Sequence, residues 1–143
     1  NNISNIGLTS GCFDILHEGH INNLKICKKN CDNLFVCLSS DIQIKRLKGK
    51  ERPINNITDR INMLVNFDFI DKIILYDEIN DVLESELDNI MNIVNPAIWF
   101  KGGDYKIENI LNKHPNLKKI VLIDLVENKS TTNIINKITN NLK

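Results

Sequence analysis

Short apolar, often β-branched runs alternate with segments of helical periodicity along the whole chain, and this alternation restricts the fold more than any other feature. Residues 6–12, 34–39, 72–76, 97–100 and 120–123 read as strands. Between them, residues 19–31 read as a helix, and Thr58 is a good N-cap for a helix through Asn66. Asn80 can cap a helix in which Val82, Leu83, Leu87, Ile90 and Val94 recur at helical spacing. A brief helix is expected over 107–113. A last one is expected after Ser130, with Ile134, Ile135, Ile138 and Leu142 facing inward. Such alternation predicts an α/β fold: a parallel sheet of about five strands with helices on both faces. The strands are nearly continuous apolar runs, as sheets buried on both faces require.

At 143 residues, with no internal repeat or Pro/Gly-rich linker, the sequence is expected to form one domain over 1–143. Eighteen basic residues balance eighteen acidic ones, so no global charge draws the chain to nucleic acid or to an anionic membrane. An anion site must then be a local cluster. No apolar run reaches the ~18 residues of a membrane span, and the polar N-terminus lacks a signal-peptide pattern, so a cytoplasmic location is expected. Cys12, Cys27, Cys31 and Cys37 form neither a CxxC pair nor a zinc pattern, and are expected to be reduced structural thiols. No metal ligands are assigned.

In parallel α/β sheets ligands sit beyond the carboxyl ends of the strands. The unusual residues of this sequence fall in those loops. The first loop runs Gly11-Cys12-Phe13-Asp14-Ile15-Leu16-His17-Glu18-Gly19-His20, and its two imidazoles lie where a helix N-terminus already favours anions. Imidazolium donates from both nitrogens, and nearby phosphate favours that form. Gly19 permits close backbone approach. A second segment, read as a loop after the second strand, carries Lys45, Arg46, Lys48, Lys50 and Arg52. A third, Lys101-Gly102-Gly103-Asp104-Tyr105, allows tight geometry past the fourth strand, where Asp104 can accept from a hydroxyl or amine. The fourth, Ser130-Thr131-Thr132-Asn133, opens the last helix, with Ser130 as the expected N-cap.

The first string resembles the signature of the cytidylyltransferase-like nucleotidyltransferases, a Rossmann-like superfamily. The other three, with Arg52-Pro53 and Asn55, resemble one branch of it, the adenylyltransferase domain of the bacterial ADP-heptose synthases. The four motifs run in order over nearly the whole chain. The resemblance implies an enzyme that transfers AMP from ATP to a sugar phosphate, heptose 1-phosphate first, and releases pyrophosphate. It implies catalytic roles for His17, His20 and Lys48. It implies nucleotide contacts from Gly11, Cys12, Phe13, Asp14, Gly19, Arg60, Lys101, Gly102, Asp104, Ser130, Thr131 and Thr132. Arg46, Lys50 and Arg52 would face the substrate phosphate, and Mg²⁺ would accompany ATP. Expected partners are ATP and a phosphorylated small molecule, with a homodimer left open.

Two departures bear on the branch. Glycerol-phosphate cytidylyltransferases carry an arginine five residues before their Ser-Thr-Thr, where this chain has Leu125, which speaks against the CTP branch. Heptose enzymes often have Gly at the position of Asn128 and a small residue at Lys129. The alternatives are a cytidylyltransferase acting on a polyol or amino-alcohol phosphate, and a catalytically inert nucleotide-binding module.

Overall fold

The computed structural model describes residues 5–77, 86–102, 114–115, 117–123 and 131–141. Its five strands are β1 (Ile6–Gly11), β2 (Asn33–Ser39), β3 (Lys72–Tyr76), β4 (Ile98–Gly102) and β5 (Lys119–Ile123). All strand pairs are parallel, in the order β3-β2-β1-β4-β5. Leu8 pairs with Phe35 on one side and Trp99 on the other. The chain leaves β1 in one direction and returns to its other side at β4. The carboxyl end of β1 is therefore the switch point where such sheets open a crevice.

The described helices are α1 (Glu18–Lys29), α2 (Asp41–Lys48), α3 (Ile57–Leu64), α4 (Glu86–Val94) and α5 (Thr131–Asn141). Alternate strand residues feed two apolar layers. Leu8, Cys37, Tyr76 and Trp99 pack with Leu87, Ile90 and Met91 of α4. Leu34, Val36, Leu38, Ile98 and Phe100 pack with Leu24 and Cys27 of α1 and Leu64 of α3. Helices thus cover both faces, as the alternation predicts. Gly7 sits where α1 ends against the sheet. A Cβ there would lie 2.6 Å from Phe100 Cε2 and 2.8 Å from Cys31 Sγ, so only glycine permits this packing. All four cysteines are free thiols. Burial pushes Cys27 and Cys37 up to about 12, so both stay protonated as small core hydrophobes.

Three local expectations are corrected. The lysine-rich segment is not a loop at first but the helix α2, whose N-cap Ser40 accepts from Gln43 N at 3.1 Å. Its cations form the last turn, where the negative end of the helix dipole favours them. Helix α3 begins earlier than expected and is capped by Asn56, not Thr58, with Asp59 N donating to Asn56 Oδ1 at 2.9 Å. In α5, Ile134 and Ile135 are half-buried but Ile138 is exposed. Asn80, Val82, Leu83, Leu142 and the brief helix over 107–113 lie outside the described residues. No helix among the described residues is long and apolar enough to cross a membrane.

Candidate active site

The first loop joins β1 to α1 at the switch point, and its two histidines build the start of that helix. His17 is the N-cap, in extended conformation with φ −140° and ψ 175°. Its Nδ1 accepts from Gly19 N at 3.0 Å, while His20 Nδ1 accepts from His17 N at 3.3 Å. This is a reciprocal capping box made from two imidazoles instead of the usual hydroxyl and carboxylate. The rings lie with centroids 3.9 Å apart and a 30° interplanar angle.

That geometry fixes the chemistry each ring can offer. A nitrogen accepting from a backbone N–H carries no proton, so each neutral ring holds its proton on Nε2. In this geometry each neutral ring offers one donor, where an imidazolium would offer two. Burial, then the charges of His17 and Lys48, lowers His20 from its ordinary 6.5 to about 4. Lys48 is exposed at the end of α2, yet its charge reaches His20.

Phe13 fixes the other wall. It is buried, with φ 49°, a left-handed conformation costing a non-glycine residue about 1–3 kcal/mol. Its ring lies tilted against His20, with centroids 5.4 Å apart. A Cβ on Gly11 would come within 2.9 Å of Phe13 Cε2, so the turn needs glycine there. Gly11, Cys12, Phe13, His20, Asn23 and Ile123 are among the residues lining a cavity of about 200 Å³ beside these rings.

Two buried charges behind the loop hold it in place. Asp14 is 2% exposed and accepts from Arg52 Nε at 3.0 Å, Ile54 N at 2.9 Å and Asn55 N at 2.8 Å. Asn55 Nδ2 also donates to Asp14 O at 2.7 Å. The carboxylate thus stitches the first loop to residues 52–55. Arg60 is fully buried. It donates to Asn55 O at 3.1 Å, Cys12 O at 2.9 Å, Ser39 O at 2.7 Å and Asp41 Oδ1 at 2.6 Å. It therefore joins the carboxyl ends of β1 and β2 to the start of α2. The sequence reading put Asp14 and Arg60 at the nucleotide; within the chain, Asp14 binds Arg52 and the backbone of Ile54 and Asn55, and Arg60 binds three backbone carbonyls and Asp41.

The remaining sequence-predicted residues divide by position. Arg46 is exposed, 3.8 Å from Asp77, and Lys50 is exposed, whereas Arg52 is buried on Asp14. Lys101, near the end of β4, lies over the Trp99 ring at 4.3 Å from its centroid. Gly102 ends β4, and Thr131 and Thr132 open α5. Asp104 and Ser130 lie outside the described residues. Sequence reasoning missed Asn23, Asp41 and the Ser40 cap. The spacing of Asn23 from His20, three residues on within a predicted helix, was the available signal for the first. Among the described residues no group of three or more His, Cys, Asp and Glu is arranged to hold a metal ion.

Comparison with known proteins places this geometry. Residues 8–137 match the family model described as cytidylyltransferase-like. The "Bifunctional protein HldE" of Campylobacter fetus subsp. fetus is 43% identical over 130 residues, covering 91% of this chain and 27% of that protein. The protein of the same name from Helicobacter hepaticus is 40% identical over 135 residues, covering 94% and 27%. The chain spans about a quarter of the length of the curated relatives it matches. Among solved structures, the lipopolysaccharide core biosynthesis protein of Thermoplasma volcanium superposes with a TM-score of 0.71 at 26% identity, covering 87% of this chain and 99% of that one. A pantoate-beta-alanine ligase from Francisella tularensis shares the fold at a TM-score of 0.62 and 18% identity, covering 85% and 59%. With its parallel sheet, its histidine-capped first helix and a family match across nearly its whole length, the chain belongs to the cytidylyltransferase-like family and is a nucleotidyltransferase.

Proposed function

We propose that the chain transfers an adenylyl group from ATP to a sugar 1-phosphate, a heptose 1-phosphate in first place, giving a nucleotide-sugar and pyrophosphate. The observation that carries the reading is the histidine pair, whose capping contacts leave one ring N–H on each imidazole at the start of α1, with the charge of Lys48 reaching His20. The resemblance of the lysine-rich, Gly-Gly-Asp-Tyr and Ser-Thr-Thr-Asn segments to the heptose branch, and the kinship to HldE proteins, support the substrate pair.

In this mechanism an oxygen of the acceptor phosphate attacks the α-phosphorus of ATP in line. The new P–O bond forms as the α–β bridging bond breaks, and pyrophosphate leaves with the bonding electrons. The acceptor is already anionic and needs no general base. Catalysis is then positioning and charge stabilisation. His17 and His20 donate Nε2–H to α- and β-phosphate oxygens, with the positive end of the α1 dipole adding to the same field. Lys48 neutralises further charge, and the family resemblance would add the hydroxyls of Thr131 and Thr132. Asp14 and Arg60 hold the loops that carry these groups. Mg²⁺ would neutralise triphosphate charge when bound. The only buried carboxylate of the first loop is tied to Arg52, so the fit is to a hard ion held mainly by phosphate oxygens and water.

Pyrophosphate release from ATP and from CTP, each with heptose 1-phosphate and with glycerol 3-phosphate, tests the proposal. ATP with the heptose 1-phosphate should turn over fastest. Faster turnover of CTP with glycerol 3-phosphate overturns the adenylyl assignment. No turnover of any pair, by a chain that still binds ATP, supports the inert module instead.

A further inference from the structure

We infer that Asn23 reads the nucleobase of the bound nucleoside triphosphate and so determines which nucleotide is used. The inference rests on the proposed function and adds a residue that none of the motifs contains. Asn23 stands three residues after His20 on α1, on the same face of the helix. Its half-buried side chain lines the cavity of about 200 Å³ that His20 also lines. Among the described residues no hydrogen bond engages its carboxamide. Its amide donors and carbonyl acceptor are therefore available to a ligand that enters the cavity.

The lining of the cavity indicates which part of a ligand it suits. If the phosphates lie against the N-terminus of α1, the nucleoside continues from His20 into the adjoining space. The walls there combine the apolar Phe13, Leu24, Cys27 and Ile123 with the polar Thr9, Ser10, His20 and Asn23. Such walls suit the faces of a planar base, whereas a ribose is polar around its rim. An amide at the edge offers a donor and an acceptor in one plane, the pattern that pairs with the edge of a base. Burial pushes the Cys27 thiol up to about 12, so that wall stays uncharged against a base.

The test is binding to the whole chain, without acceptor, by isothermal titration with ATP, CTP, deoxy-ATP and inorganic tripolyphosphate. Asn23→Leu keeps the size and removes the hydrogen bonds; Asn23→Ala is the second variant, with melting as the check on folding. Both variants should bind the preferred nucleotide roughly 10-fold more weakly, in the range of a lost amide–base pair. Their preference between ATP and CTP should narrow, and tripolyphosphate binding should not change. An unchanged ATP-to-CTP ratio overturns the inference. So does a loss confined to discrimination against deoxy-ATP, which would put the amide on the ribose, and so does a parallel loss of tripolyphosphate. If the unaltered chain binds neither ATP nor CTP, the proposed function fails and this inference with it. If it binds them and only the variants fail to differ, the inference alone is removed.

Discussion

His17 and His20 cap one another across the first turn of α1, each Nδ1 accepting a backbone N–H, with ring centroids 3.9 Å apart. The arrangement holds both rings in one tautomer and directs both ring protons the same way chemically, to Nε2. It also makes protonation costly. A proton on Nδ1 would face a backbone N–H in place of a lone pair, and two imidazolium rings would repel at stacking distance.

The pH dependence follows from that cost. His20 sits at about 4 in the folded chain against an ordinary 6.5, chiefly through burial. Between those values the unfolded chain binds more protons, so His20 makes stability fall as pH falls from 6.5 toward 4. Above 6.5 it contributes no slope. Melting temperatures measured across this window should decline less steeply for His20→Gln than for the unaltered chain; identical slopes would assign the titration to another group. Catalysis should follow the same logic. The kcat/KM profile, which reports the free enzyme, should show no loss of activity as pH rises through 6.5. A limb there would mean that imidazolium is the working form.

Asp14→Asn tests the stitch between the first loop and residues 52–55. The substitution keeps the shape but removes the charge that faces Arg52 at 3.0 Å, with Asp14 fully shielded and Arg52 nearly so. Breaking a buried pair by removing one partner costs about 3–5 kcal/mol, because the remaining charge is left uncompensated. Urea unfolding should show a loss of about 3 kcal/mol. A loss below about 1 kcal/mol would mean that water reaches Arg52 in solution.

Much of this architecture is legible in the sequence, and the parts that are not share a physical cause. Strand β3 is read to its ends because Ile73, Ile74 and Leu75 form an unbroken apolar run. Helix α2 escapes because its periodic apolar signal is missing: Ile42 and Leu47 are exposed, while Gln43 is buried beside Ile44. What remains visible is a run of cations, which reads as a loop. Asn56 and Thr58 are both good caps, and propensity alone does not choose between them. Asp14 and Arg60 are harder still. Their burial depends on partners up to 41 and 48 positions away in sequence, Asn55 and Cys12 respectively. No local pattern announces an arginine with four internal acceptors.

Arg60→Lys separates those two roles for the arginine. Lysine keeps the charge but cannot reach Asn55, Cys12, Ser39 and Asp41 together from one ammonium. If Arg60 holds the strand ends, the variant should lose at least about 2 kcal/mol of stability through unsatisfied buried carbonyls. Saturating nucleotide should not restore wild-type melting. A variant that melts normally but binds ATP more weakly would return Arg60 to direct nucleotide contact.

Lys48 and Lys45 stand on the same exposed stretch of α2, and comparing them isolates the cation that serves the site. Lys48 is close enough for its charge to help depress His20, whereas Lys45 is not among the causes of that shift. Lys48→Ala should therefore raise the His20 pKa toward 6.5, read from the ring proton shifts in an NMR titration, and Lys45→Ala should leave it in place. The same proximity makes Lys48 the cation best placed to meet phosphate charge developing against the histidines. Loss of one such contact typically lowers kcat by about 10²–10³. Lys48→Ala should fall in that range, with its melting temperature near that of the unaltered chain because the side chain is exposed. Lys45→Ala should lose no more than a few-fold. If the two variants lose activity equally and slightly, with the His20 titration unmoved in both, the end of α2 is only a solvated basic patch. The charge opposite the histidines would then have to come from another part of the chain.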